Sequence, residues 1–328
     1  MTLSRFARFT WGVLAYNVLV ILYGAFVRAT GSGAGCGAHW PLCNGVVIPR
    51  PERIETLIEF AHRATSGLVL VLAVALVVWA WRAYGKGSWV RRGAALAMFF
   101  TITEALVGAA LVLFGWVADD DSAARAISMM VHLVNTFLLI GSITVTAWWA
   151  SVGEPESGLR APAWTGGLWL AGALAMLVLG ASGAVTALGD TLFPSGSLAE
   201  GLQQDFSPTA HWLVRMRVYH PAIAISVGLY LAAATTLIRR KFTGRGAIPY
   251  LEGVTNLLYG LYLTQIVVGL INVGLLAPVW MQILHLLVTN LIWITFVLLG
   301  TLVFSGGLRL AVGVPEHQVH DPVREGAK

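Results

Sequence analysis

Four of the eight histidines, His62, His132, His220 and His285, fall inside long apolar stretches rather than in polar connections. An ionisable side chain in such a stretch is a functional candidate by default. Each lies some five or six residues from one end of its stretch, roughly 8 Å below it at 1.5 Å per residue. His62 and His132 are 70 residues apart, and His220 and His285 are 65 apart. Either separation lets the chain cross a bilayer twice and return to the same depth. Two imidazoles at one depth, on two helices of one bundle, can ligate a haem iron from opposite faces. A hydrogen-bonded structural histidine would account for any one of them, but four at matched depth fit two bis-histidine haems better. Zinc and copper sites draw their ligands from closer in sequence.

The neighbours of these histidines differ between the two pairs. Glu59 stands three residues before His62, on the same helical face. The corresponding place before His220 is taken by Arg217. A carboxyl beside a haem can move a proton or stabilise a developing cation, whereas a guanidinium suits haem propionates. A helix-start carboxylate favoured by the dipole is the plainer reading of Glu59. Snorkelling to the interface is the plainer reading of Arg215 and Arg217. Glu104 lies near the middle of its stretch, where it must be protonated or hydrogen-bonded to a neighbouring helix. Cys36 and Cys43 are the only cysteines. In an oxidising compartment they form a disulfide; a metal site including His39 is the second reading.

The elements that would position these groups follow from composition. The chain of 328 residues is 57% hydrophobic and 11% charged, against about 25% charged in soluble domains. Approximate spans of the length a bilayer requires are 11–27, 57–81, 94–116, 126–149, 164–187, 216–238, 251–275 and 280–304. The first follows Arg5 and Arg8, yet it is long for a signal segment and lacks a small-residue cleavage site, so it reads as an uncleaved span.

Arg82, Lys86, Arg91 and Arg92 lie between spans two and three, and Arg239, Arg240, Lys241 and Arg245 between spans six and seven. Basic connections are retained on the cytoplasmic side. Both termini are therefore expected in the cytoplasm of a cell-membrane protein, with the histidines toward the outer side. The loop holding Glu154, Glu156 and Arg160 adds no positive excess. Loops 28–56 and 188–215 then lie outside, with turn-forming composition. The net charge of +5 belongs to this asymmetry and not to a nucleic-acid partner; membrane lipid is the surrounding partner, and oligomerisation stays open.

The two halves look like copies. Gly24-Ala25-Phe26-Val27 and Gly180-Ala181-Ser182-Gly183 each open an outer loop; Glu104-x3-Gly108 pairs with Gln265-x3-Gly269; Val131-His132-Leu133 pairs with Leu284-His285-Leu286. A parallel repeat predicts an all-α membrane protein of two tandem pseudo-symmetric four-helix bundles, residues 1–150 and 151–328. The polar tail from about 305 ends the second.

With these residues assembled, the chain resembles the haem A synthase family. The resemblance rests on Val27-Arg28-Ala29-Thr30-Gly31-Ser32-Gly33, on Trp40-Pro41-Leu42-Cys43-Asn44-Gly45, and on Glu59-Phe60-Ala61-His62-Arg63. It implies oxidation of the C8 methyl of haem O to the formyl of haem A. It also implies that His62 and His132 hold haem O, with Glu59 as the acid-base or cation-stabilising group. His220 and His285 would ligate haem b, an electron-transfer centre. Arg28, Arg63, Arg215 and Arg217 are the propionate or interface candidates, and Cys36 and Cys43 match the family's outer-loop pair. The second cysteine pair that members often carry after span five is absent. Implied partners are a haem O synthase and an unidentified electron acceptor.

Two other readings remain. A di-haem, quinone-linked electron-transfer cytochrome would share the histidines without needing Glu59. A transporter would place helix breakers at the midplane of paired spans, whereas Pro221 and Pro278 lie near the outer ends. His39, His211, His317 and His320 read as interfacial or solvated, with His211 the alternative ligand.

Overall fold

The computed structural model describes residues 3–50, 53–154, 162–243 and 250–305. The described residues form one 3-10 turn, Ser32–Ala34, and ten α-helices: α1 (Arg5–Ala29), α2 (Ile54–Ala83), α3 (Trp89–Leu113), α4 (Ala123–Val152), α5 (Ala163–Leu192), α6 (Leu198–Asp205), α7 (Trp212–Met216), α8 (Tyr219–Thr243), α9 (Leu251–Gly274) and α10 (Val279–Phe304). With α7 and α8 taken as one crossing, eight are long and apolar enough to span a membrane. The chain is an all-α multi-pass membrane protein. Glu156, Arg160, Arg245, His317, His320 and the tail beyond 305 lie outside the described residues.

Helix starts follow local chemistry. Ser4, Ser88 and Ser122 each accept from the backbone N–H three residues on, relieving the donors that a first turn leaves open. Glu154 accepts from the Ser88 hydroxyl and from Val90 N (2.8 Å). A carboxyl at the start of α3 is favoured by the helix dipole, so the acidic residue that follows α4 caps its neighbour.

Most crossings extend beyond the expected spans, because the hydropathy pattern marks only the apolar middle of each helix. The motif Gly24 to Val27 therefore lies inside α1, and Gly180 to Gly183 inside α5, rather than opening loops. The sixth crossing departs more. A continuous helix was expected from 216, but α7 ends at Met216 and α8 begins at Tyr219. Pro221 has no N–H to give Arg217, and its ring would clash with that carbonyl in a continuous helix.

In the first half α1 packs on α2, α2 on α3, α3 on α4 and α4 on α1; in the second, α5 packs on α8, α8 on α9, α9 on α10 and α10 on α5. Between the halves α1 and α4 meet α5 and α10. Phe137 of α4 stacks on Trp293 of α10 with centroids 5.4 Å apart, and the Trp293 indole donates to Phe137 O at 2.6 Å. Both residues belong to the main apolar core. A division at residue 150 falls within α4, which ends at Val152.

Candidate haem-binding site

The helices place His62 on α2, His132 on α4, His220 on α8 and His285 on α10. Counted from the starts of α2, α4, α7 and α10, the four are roughly 9–14 Å into the helices at 1.5 Å per residue, deeper than the apolar boundaries implied. The His220 and His285 rings meet in an edge arrangement, with centroids 6.3 Å apart and planes at 68°. Metal–imidazole nitrogen bonds run about 2.0–2.1 Å, so two rings on opposite sides of one iron have centroids about 6 Å apart. That spacing fits a bis-histidine haem. His62 lies within electrostatic range of His132 and Glu104.

Small residues clear space for three of the rings. A Cβ on Gly24 would stand 3.0 Å from His62 Cε1, one on Gly183 3.0 Å from His220 Cε1, and one on Gly269 3.2 Å from His285 Cε1. The structural counterpart of Gly24 is thus Gly183, three residues beyond the sequence pairing with Gly180, which meets Phe137 instead. Gly108, the counterpart of Gly269, has nothing within 4 Å of its Cβ direction. The first half therefore has open space at the position where the second half has a ring.

Each pair contains one ring with a polar neighbour at Nδ1 and one without. Ser182 Oγ is 2.9 Å from His220 Nδ1. Glu104 Oε1 is 3.1 Å from His132 Nδ1, although the ring N–H is not well aligned with it. Nδ1 of His62 and of His285 are buried without a hydrogen-bond partner. Ligating histidines commonly use the second ring nitrogen to fix their orientation, and Ser182 and Glu104 can serve that purpose. Ser182 is singled out only by its contact with the His220 ring, and the histidines of α4 and α10 share a His-x3-Thr pattern (His132 with Thr136, His285 with Thr289).

Glu59 is 4% exposed and fully engaged. Its Oε2 accepts from Cys36 N at 2.7 Å, and its Oε1 accepts from Arg63 Nε at 3.1 Å and from Nη2. Arg63 also donates to His39 O and Leu42 O, both at 2.6 Å. Arg63 is therefore committed to Glu59 and to the loop between α1 and α2. Cys36 and Cys43 form a disulfide that closes that loop. With both sulfurs in that bond, neither is a thiolate that could bind a metal alongside His39.

The other arginines separate. Arg217 pairs with Asp190 (3.1 Å) and Asp205 (2.9 Å), two carboxyls that the sequence reading had not connected to it. Arg28 reaches from α1 into the second half, donating to Ala187 O, Thr191 Oγ1 and Gln282 Oε1. Arg215 is exposed. His211 lies 3.4 Å from Asp121 and stacks on Phe193, apart from the two ring pairs.

Comparison with known proteins adds a family. The model described as "Cytochrome oxidase assembly protein" matches residues 7–297. A Thermus thermophilus protein named "Protoheme IX farnesyltransferase" is 54% identical over 318 residues, which is 97% of this chain and 52% of that protein. The chain thus spans about half the length of this relative. A "Heme A synthase" of Lysinibacillus sphaericus is 47% identical over 108 residues, 32% of this chain and 35% of its own. One of Bacillus mycoides is 40% identical over 134 residues, 40% and 42% of the two chains. With the model match running through all eight crossings, the chain belongs to the haem A synthase family of cytochrome oxidase assembly proteins.

Proposed function

We propose that this chain is a haem A synthase that oxidises the C8 methyl of haem O to a formyl group. The observation that carries the reading is the pair of imidazoles, His220 and His285, at the spacing of a bis-histidine iron; His62 and His132 are the corresponding histidines of α2 and α4, in the half that also carries Glu59 and Glu104. Converting a methyl to a formyl removes four electrons and adds one oxygen, so the site needs a route for electrons and for protons. Haem b held by His220 and His285 would supply the electron-transfer centre. His62 and His132 would hold haem O from opposite faces. Glu59 would take up or release protons at the edge of that site, and its partners Arg63 and Cys36 N hold its carboxyl in place.

The two halves are read as four-helix units, with the substrate in the first. Both termini are placed in the cytoplasm, with the disulfide loop outside; a reporter at residue 40 should signal from the outer side, and a cytoplasmic signal would invert this topology. Haem O carries a farnesyl tail and can enter laterally from lipid. The relative named for farnesylation of protohaem, about twice this chain's length, supports a haem O synthase as the partner that supplies substrate.

The test is mass analysis of haems extracted after co-expression with a haem O synthase. Haem A or hydroxylated haem O, lost in Glu59→Ala, is the expected result. Two haem b per chain and no oxidised product would leave an electron-transfer cytochrome.

A further inference from the structure

The pair Glu104 and Gln265 sits at equivalent places in the two halves, yet the contacts are not equivalent. On α3, Glu104 Oε1 lies 3.1 Å from His132 Nδ1 and accepts from Thr136 Oγ1 at 2.5 Å, while Oε2 accepts from Asn135 Nδ2 at 2.5 Å. Asn135 is itself fixed: its Nδ2 also donates to Phe100 O (2.9 Å), and its Oδ1 accepts from Thr103 (2.6 Å). Both carboxyl oxygens therefore face α4, where Thr136 and Asn135 donate to them and the ring of His132, a candidate iron ligand, lies beside Oε1 with its N–H not well aligned.

On α9, Gln265 turns its amide nitrogen to His285 O (3.1 Å) and Thr289 Oγ1 (2.7 Å). Its Oε1 and the His285 Nδ1 are both buried without partners. One half thus offers its histidine a carboxyl acceptor, held by Thr136 and Asn135, and the other offers a neutral amide whose nitrogen is turned to His285 O and Thr289.

We propose that Glu104 is the positioning residue of the first haem site, setting the orientation and donor strength of His132 as an iron ligand and so distinguishing that site from the one ligated by His220 and His285. A histidine that gives its second N–H to a carboxyl is a more basic ligand, and loss of such a partner lowers metal affinity or activity about 10- to 100-fold. A more basic ligand favours the oxidised iron, so the His62–His132 site is expected to have the lower midpoint potential of the two. Thr136 and Asn135 keep the carboxyl from rotating away. The inference rests on the assignment of His62 and His132 as a haem pair, but not on the reaction carried out there.

The experiment is a spectroscopic redox titration of the purified, haem-loaded protein in detergent, with haem stoichiometry measured alongside. Glu104→Gln should raise the midpoint potential of one haem component and leave the other unchanged. It should also weaken retention of that haem about 10-fold or more. His62→Ala identifies the component by removing it. Gln265→Glu gives a second, opposite readout that survives if Glu104→Gln folds poorly: the component removed by His220→Ala should move to lower potential. Wild-type potentials and ligand spectra in both Glu104→Gln and Gln265→Glu would overturn the proposal. Shifted potentials in a protein that produces no haem A would keep it and remove the synthase reading, so the two failures are distinguishable.

Discussion

Glu59 Oε2 accepts the backbone N–H of Cys36 at 2.7 Å, so this buried carboxyl of α2 is joined to the first half-cystine of the disulfide loop. The same carboxyl holds Arg63, which donates to His39 O and Leu42 O inside the disulfide ring. Loop, carboxyl and α2 therefore form one unit.

Removing Arg63 leaves Glu59 buried without its guanidinium partner and frees two loop carbonyls. Breaking a buried ion pair from one side costs about 3–5 kcal/mol. Arg63→Ala should lower the thermal midpoint in detergent markedly, and Arg63→Ala with Glu59→Ala should recover part of the loss. Equal melting of wild type and Arg63→Ala would show that the pair does not hold the loop.

The disulfide joins residues seven apart, and a ring of that size restricts the unfolded chain by about 2.5 kcal/mol. Cys36→Ser with Cys43→Ser should destabilise by that order and raise hydrogen exchange at Cys36 N. Thiol labelling of unreduced wild type at both positions would show that the bond does not form.

Gly24 and Gly183 test the ring pairs separately. Alanine at Gly24 brings a methyl to 3.0 Å of His62 Cε1, and alanine at Gly183 does the same to His220. Each variant should lose or perturb one haem by optical spectroscopy and leave the other intact. Alanine at Gly108, whose Cβ would meet nothing within 4 Å, should leave the protein's thermal midpoint near the wild-type value.

Arg28 ties α1 to α5 and α10 through three acceptors. Hydrogen bonds to charged groups contribute about 1.5–3 kcal/mol each. Arg28→Ala should loosen the contact between halves, seen as faster proteolysis and a lower melting temperature. Arg28→Lys should rescue little, because a point-charge ammonium does not reproduce the planar fork. Full rescue by lysine would reduce Arg28 to a charge.

The sequence by itself determined the eight crossings, because a run of apolar residues long enough for a bilayer is a local property. It also singled out the four histidines, Glu59 and the Glu104–Gln265 correspondence, since type and spacing survive without coordinates. Helix ends were missed because capping groups such as Ser88 and Glu154 are polar and lie beyond the apolar signal. The pairing of Gly24 with Gly180 was off by three residues, because only the contact with an imidazole selects Gly183. Tertiary structure alone decided that Arg217 pairs with Asp190 and Asp205, that Arg28 crosses between halves, and that Glu59 meets Cys36. Those partners are far apart along the chain or separated by irregular loops. Hydrogen-bond donors choose acceptors by distance and direction, which hydropathy and periodicity do not encode.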